Sequence, residues 1–385
     1  MNNNNNNMSR QRRKLTHNNA LASNNSGPVN KAFLKILGLV LLIAIFVTGA
    51  YGFRLYAQAQ GSLDKTFKPL SGKPTSTKIA DSQPVSILLL GVDTTDNGVR
   101  DTETNYKGNS DTMIVVTVNP KTKKTTMMSI PRDTMTQIWK NEDNNTRKIQ
   151  KINSAYNIGT ENSAVVTTEK LINVPIDYYV KVDFNSLEKI VNSVGGVDVN
   201  VPFSFSYGDV GETPSNFTKG EMHLNGKQAL DYARMRHDDP NGDYGRQQRQ
   251  RQIISAIIKS AASAKTFTHF KDVLDSISDS MTTNLSFNDM QTMFFNYRDA
   301  SKSIASDHLQ GYGQMVGDVS YELAPTKEIQ RVSNKLRKQL ELPHETINNE
   351  ETKLNRLNER QGFSFDYDGD QEQTYKIFKN NQTSE

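Results

Sequence analysis

The alternation of apolar and polar positions divides this chain into a polar N-terminal stretch, one long apolar run and a body of short apolar segments. The run ILGLVLLIAIFVTGAYGF, residues 36–53, contains 18 residues without a charge. A helix of that length reaches the lower limit for crossing a hydrocarbon core of roughly 30 Å. Aromatic residues suited to the membrane interface stand at Tyr51, Phe53 and Tyr56. We therefore predict a single transmembrane helix at residues 32–56.

The charges that flank this run predict its orientation. Residues 1–35 carry six basic residues and no acidic residue. Positive flanks stay on the cytoplasmic side, so we expect a disordered cytoplasmic tail at residues 1–31 and an extracellular body anchored in the cell membrane. A cleaved signal peptide is the alternative. The uncleaved anchor is favoured because the run is longer than a usual signal core and Gln58-Ala59-Gln60-Gly61 is a poor cleavage site.

Beyond residue 82 the apolar positions follow strand and helix periodicities in turn. Strands are predicted at residues 86–92, 112–118, 125–130, 178–184 and 197–201. Helices are predicted at residues 162–172, 185–194, 245–262, 268–280, 286–297 and 326–340, with Asn185 as the cap of the second. This alternation predicts an α/β fold in which a mixed central β-sheet is sandwiched between helical layers, an α-β-α arrangement.

Composition sets the limits of this body. Ser, Thr, Lys, Gly and Pro are frequent in residues 57–82, which predicts an extracellular stalk before a folded domain at residues 83–342. After Pro343 the chain is polar and loses its periodicity. Such a composition predicts a flexible C-terminal tail at residues 343–385.

The types and balance of residues exclude several classes of function. The chain of 385 residues has no cysteine, which excludes disulfides, thiolate catalysis and cysteine-based zinc sites. From residue 36 onwards, 40 basic residues face 42 acidic ones, so the net charge of +4 comes from the tail. That balance argues against nucleic acid as a partner. The six histidines form no HExxH motif, and the sequence has neither a Walker loop nor a G-x-S-x-G motif.

Arginines and aspartates concentrate at four places in the body. Asp93 ends one strand, Asp111 precedes the next, Arg132 and Asp133 follow a third, and the fourth place is residues 234–251. Asp93 and Asp111 could hold Mg²⁺, which prefers carboxylate and phosphate oxygens. Each place also has a simpler interpretation: a turn residue at Asp93, a surface ion pair at Arg132, and a solvated helix end at the fourth.

The fourth place has a geometry that suits an anion. In an extended segment Arg234 and Arg236 point to the same side. On a helix, Arg246, Arg249 and Gln250 lie at positions i, i+3 and i+4 and share one face. Guanidinium groups bind phosphate oxygens bidentately and stay charged. We therefore predict that these side chains converge on a phosphate-bearing ligand.

Eight segments, taken in order, resemble the LytR-CpsA-Psr family over residues 85–260. They are GVD, SDTM, SIPRD, KINSAYN, DYYVKVDF, GGVDVNV, LNGKQALDYARMR and DYGRQQRQRQ. The resemblance implies an α-β-α domain held outside the cell membrane. It also implies an enzyme that moves an anionic glycopolymer, such as wall teichoic acid or capsular polysaccharide, from a polyprenyl pyrophosphate carrier to peptidoglycan.

The resemblance assigns roles to individual positions. It implies that Asp93 and Asp111 associate with magnesium and that Lys151 lies near the head group. The implied pyrophosphate contacts are Arg132, Arg234, Arg236, Arg246 and Gln250. The implied catalytic residues are Asp93, Arg132, Asp243 and Arg246.

One position departs from the family pattern. Asn109 stands where family members often have an arginine, just before Ser110-Asp111. Arg100 or Lys107 would then supply that phosphate contact.

The expected reaction is a phosphotransfer to a sugar hydroxyl, with arginines and a metal neutralising charge on the leaving lipid phosphate. Asp93 and Asp243 are both candidates for the base that removes the hydroxyl proton. The expected partners are the polyprenyl-linked glycopolymer, peptidoglycan and the bilayer. A hydrolase that releases the polymer or a lipid phosphate, a regulator without catalytic activity and a passive polyprenyl-phosphate binder are the competing functions.

Overall fold

The computed structural model describes residues 66–92, 107–208, 211, 213–236, 238–262, 281–366 and 373–378. Its strands are β1 (Val85–Val92), β2 (Ser110–Asn119), β3 (Lys124–Ser129), β4 (Met135–Asn141), β5 (Asn144–Lys151), β6 (Tyr178–Asp183), β7 (Val197–Val201), β8 (Phe205–Tyr207), β9 (Ser215–Phe217), β10 (Gly220–Leu224), β11 (Met281–Thr283), β12 (Ile304–His308), β13 (Tyr312–Val316) and β14 (Val319–Leu323). Its helices are α1 (Ser154–Ile172), α2 (Phe184–Ser193), α3 (Gly226–Arg234), α4 (Gly242–Ala261), α5 (Phe287–Asn296), α6 (Thr326–Gln339) and α7 (Glu350–Arg360), with a 3-10 turn at Arg298–Lys302.

A six-stranded mixed sheet in the order β11-β6-β1-β2-β3-β12 forms the centre of the domain. Strand β1 pairs antiparallel with β2 and parallel with β6. The alternation along β1 separates the two faces, since Leu88 and Leu90 enter one core and Ile87 the other. The first core includes Val165 from α1 and Leu336 from α6, whereas the second is covered by α4 and α5. The predicted mixed sheet between helical layers is therefore confirmed.

Helices α1 and α2 differ from the sequence prediction at their starts. Helix α1 begins at Ser154, eight residues before the predicted start, and it has non-helical backbone angles at Gly159 and Thr160. Those two residues interrupt the helical periodicity of the apolar positions, so the sequence predicts only the part of α1 that follows them. The cap of α2 is Asp183, whose side chain accepts a hydrogen bond from Ser186 N at 2.8 Å, and not Asn185. The helix predicted at residues 268–280 lies outside the described residues.

Part of the predicted stalk belongs to the folded domain. Phe67 forms a β-bridge with Thr283, Leu70 is buried in the first core and Ile79 in the second. The domain therefore begins before residue 83, because single apolar residues too sparse to predict an element are enough to fix this segment. None of the helices that the structure describes is long and apolar enough to cross a membrane. The predicted span at 32–56 and the tail at 1–31 lie outside the described residues.

The described residues beyond Pro343 are packed, unlike the flexible tail predicted for them. Helix α7 has a complete capping box formed by Asn349 and Thr352. Behind it an aromatic cluster joins the C-terminal segment to β4 and β14; it comprises Met135, Tyr321, Leu323, Leu354, Phe363, Phe365 and Tyr375. The composition misleads here because polar side chains also anchor the segment: Glu351 accepts hydrogen bonds from Thr136 Oγ1 at 2.6 Å and from Gln137 N at 2.7 Å.

We expect an Asn355→Ala substitution to destabilise the protein by about 2 kcal/mol, because it leaves buried polar partners unsatisfied. Asn355 donates to Ala324 O at 2.9 Å and accepts from Tyr375 Oη at 2.7 Å. Urea unfolding measures the change. The neighbouring Arg356 is exposed, so Arg356→Ala is the matched control and should have no effect. Equal stability of the two variants would contradict packing of this segment.

Candidate active site

The candidate site lies where β2 begins, β3 ends and α4 begins. Beyond β3, Thr134 N and Oγ1 both donate to Pro131 O, at 3.0 and 2.7 Å. This turn holds Arg132 and Asp133 at the edge of the sheet, and Asn153 N donates to Arg132 O at 3.2 Å. Short local contacts therefore fix the backbone that carries the first arginine.

Two arginine–aspartate pairs form the centre of the site. Arg132 Nη1 lies 2.8 Å from Asp111 Oδ1, and Arg246 Nη2 lies 2.5 Å from Asp243 Oδ1. Burial is the largest influence and would lower the pKa of Arg132, but the attraction of Asp111, Asp133 and Asp243 and the hydrogen bond to Asp111 together outweigh it, and the pKa is raised. Burial and then repulsion from Arg132 lower the pKa of Arg246, despite the attraction of Asp243. The two guanidinium groups are therefore close enough to sense each other's charge, and we call these four residues the arginine–aspartate cluster.

Both arginines keep a buried donor available. Within the described part of the chain, neither Arg132 Nε nor Arg246 Nε has a hydrogen-bond acceptor. Arg132 Nε lies 3.7 Å from Asp133 Oδ2, which is too long for a hydrogen bond. A buried donor without an acceptor costs roughly 1–3 kcal/mol. An anionic ligand with several oxygens would remove that cost at both arginines.

A third pair of charges adjoins the cluster. Lys151, at the end of β5, has its Nζ 2.9 Å from Asp133 Oδ1. Because Asp133 directly follows Arg132, Lys151 lies beside the cluster, and its position near the head group stays a prediction.

The predicted extended arm that carries Arg234 is wrong. Residues 226–234 form helix α3, with a complete capping box between Asn225 and Gln228. Arg234 is its last residue and Arg236 follows it with an exposed side chain. The sequence contains a pattern that predicts the start of this helix, since Asn225 followed three residues later by Gln228 is a capping-box pattern. The contact of Arg234 and Arg236 with phosphate stays a prediction.

Arg249 does not join the ligand face, although it shares a helix with Arg246. Its side chain is 1% exposed. Its Nε donates to Tyr232 O at 2.9 Å, and its two other nitrogens bind Asp239 and Met235 O. Tyr232 lies in the last turn of α3, and Met235 and Asp239 follow that helix, so Arg249 positions the end of α3 and the segment after it.

Sequence reasoning missed a tyrosine–glutamate pair at the site. Tyr244, next to Asp243, donates from its hydroxyl to Glu322 Oε1 at 2.5 Å and accepts from Gly311 N at 2.8 Å. Burial raises the pKa of Glu322, and Asp243 adds to the effect. Glu322 lies on β14, far along the chain from the quoted motifs, and no local pattern marks it.

An apolar cavity of about 470 Å³ adjoins the cluster. Helices α4 and α5 cover it on one side and the sheet forms the other. Its wall includes Val116, Val180, Ile254, Ile258 and Met293. Gln250 and Thr112 also line it, and they lie one turn beyond Arg246 and one residue beyond Asp111. The cavity therefore lies within one helical turn of the cluster along α4.

The predicted magnesium ligands are only partly described, since Asp93 and Arg100 lie outside the described residues. In the ranges that are described, no group of three or more His, Asp or Glu side chains could hold a metal ion. Magnesium commonly takes one or two carboxylates and completes its shell with substrate phosphates and water. The carboxylate of Asp111 fits such a site, in which the substrate supplies most ligands.

Comparisons with known proteins agree with the sequence resemblance. The sequence model of the LytR_cpsA_psr family matches residues 53–338. A polyisoprenyl-teichoic acid–peptidoglycan teichoic acid transferase TagU of Enterococcus faecalis is 39% identical over 311 residues, which cover 80% of this chain and 97% of that relative.

Solved structures match as well. Protein gbs0355 from Streptococcus agalactiae has a TM-score of 0.65 and 34% identity, covering 72% of this chain and 94% of that one. TagT bound to LI-WTA has a TM-score of 0.57 and 27% identity, covering 71% of this chain and 100% of that one. The chain belongs to the LytR-CpsA-Psr family.

Proposed function

We propose that this protein is a phosphotransferase that moves an anionic glycopolymer from a polyprenyl pyrophosphate carrier to a sugar hydroxyl of peptidoglycan. One observation carries the proposal: the arginine–aspartate cluster lies beside an apolar cavity of about 470 Å³, whose lining includes Gln250, one turn beyond Arg246. A polyprenyl pyrophosphate has the same two parts, a charged head and a hydrocarbon chain. The relative from Enterococcus faecalis named as a teichoic acid transferase supports teichoic acid as the polymer class.

The reaction assigns a task to each described side chain. The acceptor hydroxyl oxygen attacks the phosphorus that carries the polymer, and the bond from that phosphorus to the bridging oxygen breaks. Polyprenyl monophosphate leaves. Arg132 and Arg246 stabilise the charge on the phosphate oxygens, which is greatest in the transition state. The hydroxyl proton passes to a carboxylate, for which Asp243 and Asp93 are the candidates.

The implied metal would be held by Asp111 and Asp93. Bound there, magnesium would supply further neutralisation of the pyrophosphate charge.

Product analysis tests this function against its competitors. We expect the full chain in bilayers to form a phosphodiester between polymer and peptidoglycan and to release polyprenyl monophosphate. Free polymer as the only product in the presence of acceptor would make the protein a hydrolase. Binding of the carrier with no turnover would leave a passive binder or regulator.

The proposed location is the outer face of the cell membrane, with the N-terminus inside. The chain has no cysteine, so a single Asp318→Cys substitution at an exposed turn provides a unique label. We expect a membrane-impermeant maleimide to label it in intact cells. Labelling only after lysis would place the domain in the cytoplasm and contradict the proposal.

We expect Ile254→Trp to raise the KM for a long-chain polyprenyl donor by roughly thirtyfold. The indole would fill part of the cavity and displace about two or three methylenes, at roughly 0.8 kcal/mol each. A short-chain, water-soluble prenyl donor provides the control, since its KM should be unchanged in the same variant. Equal effects on both donors would show that the cavity does not hold the lipid.

A further inference from the structure

A second, polar groove lies between β4, the end of α1 and the start of α7, and we call it the β4–α7 groove. Its volume is about 810 Å³. Part of its lining is formed by Gln137 and Trp139 of β4, and another part by residues 346–351 and Lys353. The second part lies beyond residue 338, where the family match ends. The groove therefore combines residues of the family domain with residues outside the family match.

The charges of the groove are balanced. Its basic side chains are Lys73, Lys170, Arg337 and Lys353. Its acidic side chains are Glu142, Glu169, Glu350 and Glu351.

Most of these charges are paired with one another. Lys170 Nζ lies 3.1 Å from Glu142 Oε2, Lys353 Nζ lies 2.8 Å from Glu350 Oε1, and Lys73 pairs with Glu169. A polyanion needs an excess of positive charge, which this balance does not provide. The groove is therefore suited to a ligand that is polar and neutral.

Trp139 gives the groove a flat apolar surface among hydrogen-bonding groups. It is half-buried, and Lys170 Nζ lies 5.1 Å from the centroid of its ring. Gln137 and Asn348 add side-chain amides to the same lining. An amide both donates and accepts, which matches an acetamido group. A pyranose ring has apolar C–H faces and a rim of hydroxyls, so the combination matches an N-acetylated sugar better than an apolar peptide side chain.

Glu169 provides a second, independent sign of a ligand. Its side chain is 10% exposed, and its Oε1 accepts from Ile176 N at 2.5 Å. Its Oε2 is buried and, among the described residues, has no hydrogen-bond partner. Burial raises the pKa of this carboxyl although Lys73 opposes the shift. A hydroxyl-rich ligand in the groove could satisfy the buried oxygen.

One strand runs from the site to the groove. Strand β4 begins three residues after Arg132 and reaches Trp139 about 13 Å further along, at 3.3 Å per residue. We propose that the β4–α7 groove binds a neutral, N-acetylated oligosaccharide, which under the proposed function is the glycan strand of the acceptor. A strand held there would extend from the groove towards the hydroxyl that reacts.

Trp139 is the single tryptophan of the sequence, so its fluorescence reports on this groove directly. We expect a hexamer of β-1,4-linked N-acetylglucosamine to produce a saturable change in the fluorescence of the full chain. Asn348→Tyr places a bulky ring at an exposed position of the lining and should raise the Kd at least tenfold. Asn200→Tyr, at an exposed position on β7, is the matched control and should leave the Kd unchanged.

Three outcomes would overturn the proposal: no saturable change with the hexamer, an unchanged Kd in Asn348→Tyr, or saturation only with a stem peptide or a teichoic acid fragment. The experiment also separates this proposal from the proposed function. Arg246→Ala should bind the hexamer like the wild type while its kcat/KM for transfer falls by about 10²–10³-fold. A wild type that binds the hexamer but transfers nothing would support the groove and contradict the phosphotransferase. A wild type that transfers polymer but does not bind the hexamer would support the phosphotransferase and contradict the proposal for the groove.

Discussion

Replacing Arg246 by alanine is expected to reduce kcat/KM for polymer transfer by about 10²–10³-fold, the effect of removing one charge-stabilising donor from an enclosed site. Arg246 is 8% exposed and its Nε has no acceptor among the described residues. Both features indicate that this guanidinium is reserved for an oxyanion. Asp243 Oδ1 lies 2.5 Å from Arg246 Nη2, so this ion pair already orients the guanidinium group before substrate arrives.

Two further variants sharpen this test. Arg246→Lys keeps the charge but loses the planar fork, and we expect it to recover only part of the activity. Lys259→Ala removes a cation from the exposed last turn of the same helix and should leave transfer unchanged. Initial rates with the polyprenyl-linked donor measure all three, and thermal unfolding checks that they fold. An Arg246→Ala enzyme with wild-type kcat/KM would remove Arg246 from the site.

The central sheet could be predicted from sequence because its strands have a strong periodic signal. Strands β1 and β2 are nearly continuous apolar runs, and both are buried on two faces. The proximity of Asp111, Arg132 and Arg246 was also foreseeable, since motifs at neighbouring strand ends and at a helix start meet at one edge of a sheet. The resemblance to a family added roles that periodicity cannot supply.

Other parts of the site depend on contacts distant in sequence. Glu322 reaches the site because its backbone N donates to Asp133 O at 2.9 Å, a pairing that no local pattern announces. The apolar cavity is lined by residues that look like ordinary core. Its existence depends on how closely α4 and α5 approach the sheet, which is a property of packing and not of hydrophobicity.

Arg249 shows most clearly why a shared helix face does not imply a shared role. It lies three residues after Arg246 and has the same chemistry, yet it is buried against Phe205 and Tyr232, with its guanidinium carbon 5.7 and 5.8 Å from their ring centroids. Its counter-ion Asp239 is 2% exposed. Gly245 makes room for that carboxylate, because a Cβ there would lie 2.0 Å from Asp239 Oδ2. The pair is thus enclosed from every side.

We therefore expect Arg249→Met to destabilise the protein by about 3–5 kcal/mol, because it leaves Asp239 buried without a counter-charge. Methionine fills much of the same volume, so the cost reflects the broken pair more than a cavity. The double variant Arg249→Met, Asp239→Leu removes both charges and should recover most of the lost stability. Urea unfolding of the three proteins measures this coupling. If the double variant were no more stable than Arg249→Met alone, the hydrogen bonds from Arg249 to Tyr232 O and Met235 O, which both variants lose, would account for the lost stability instead of the charge pair.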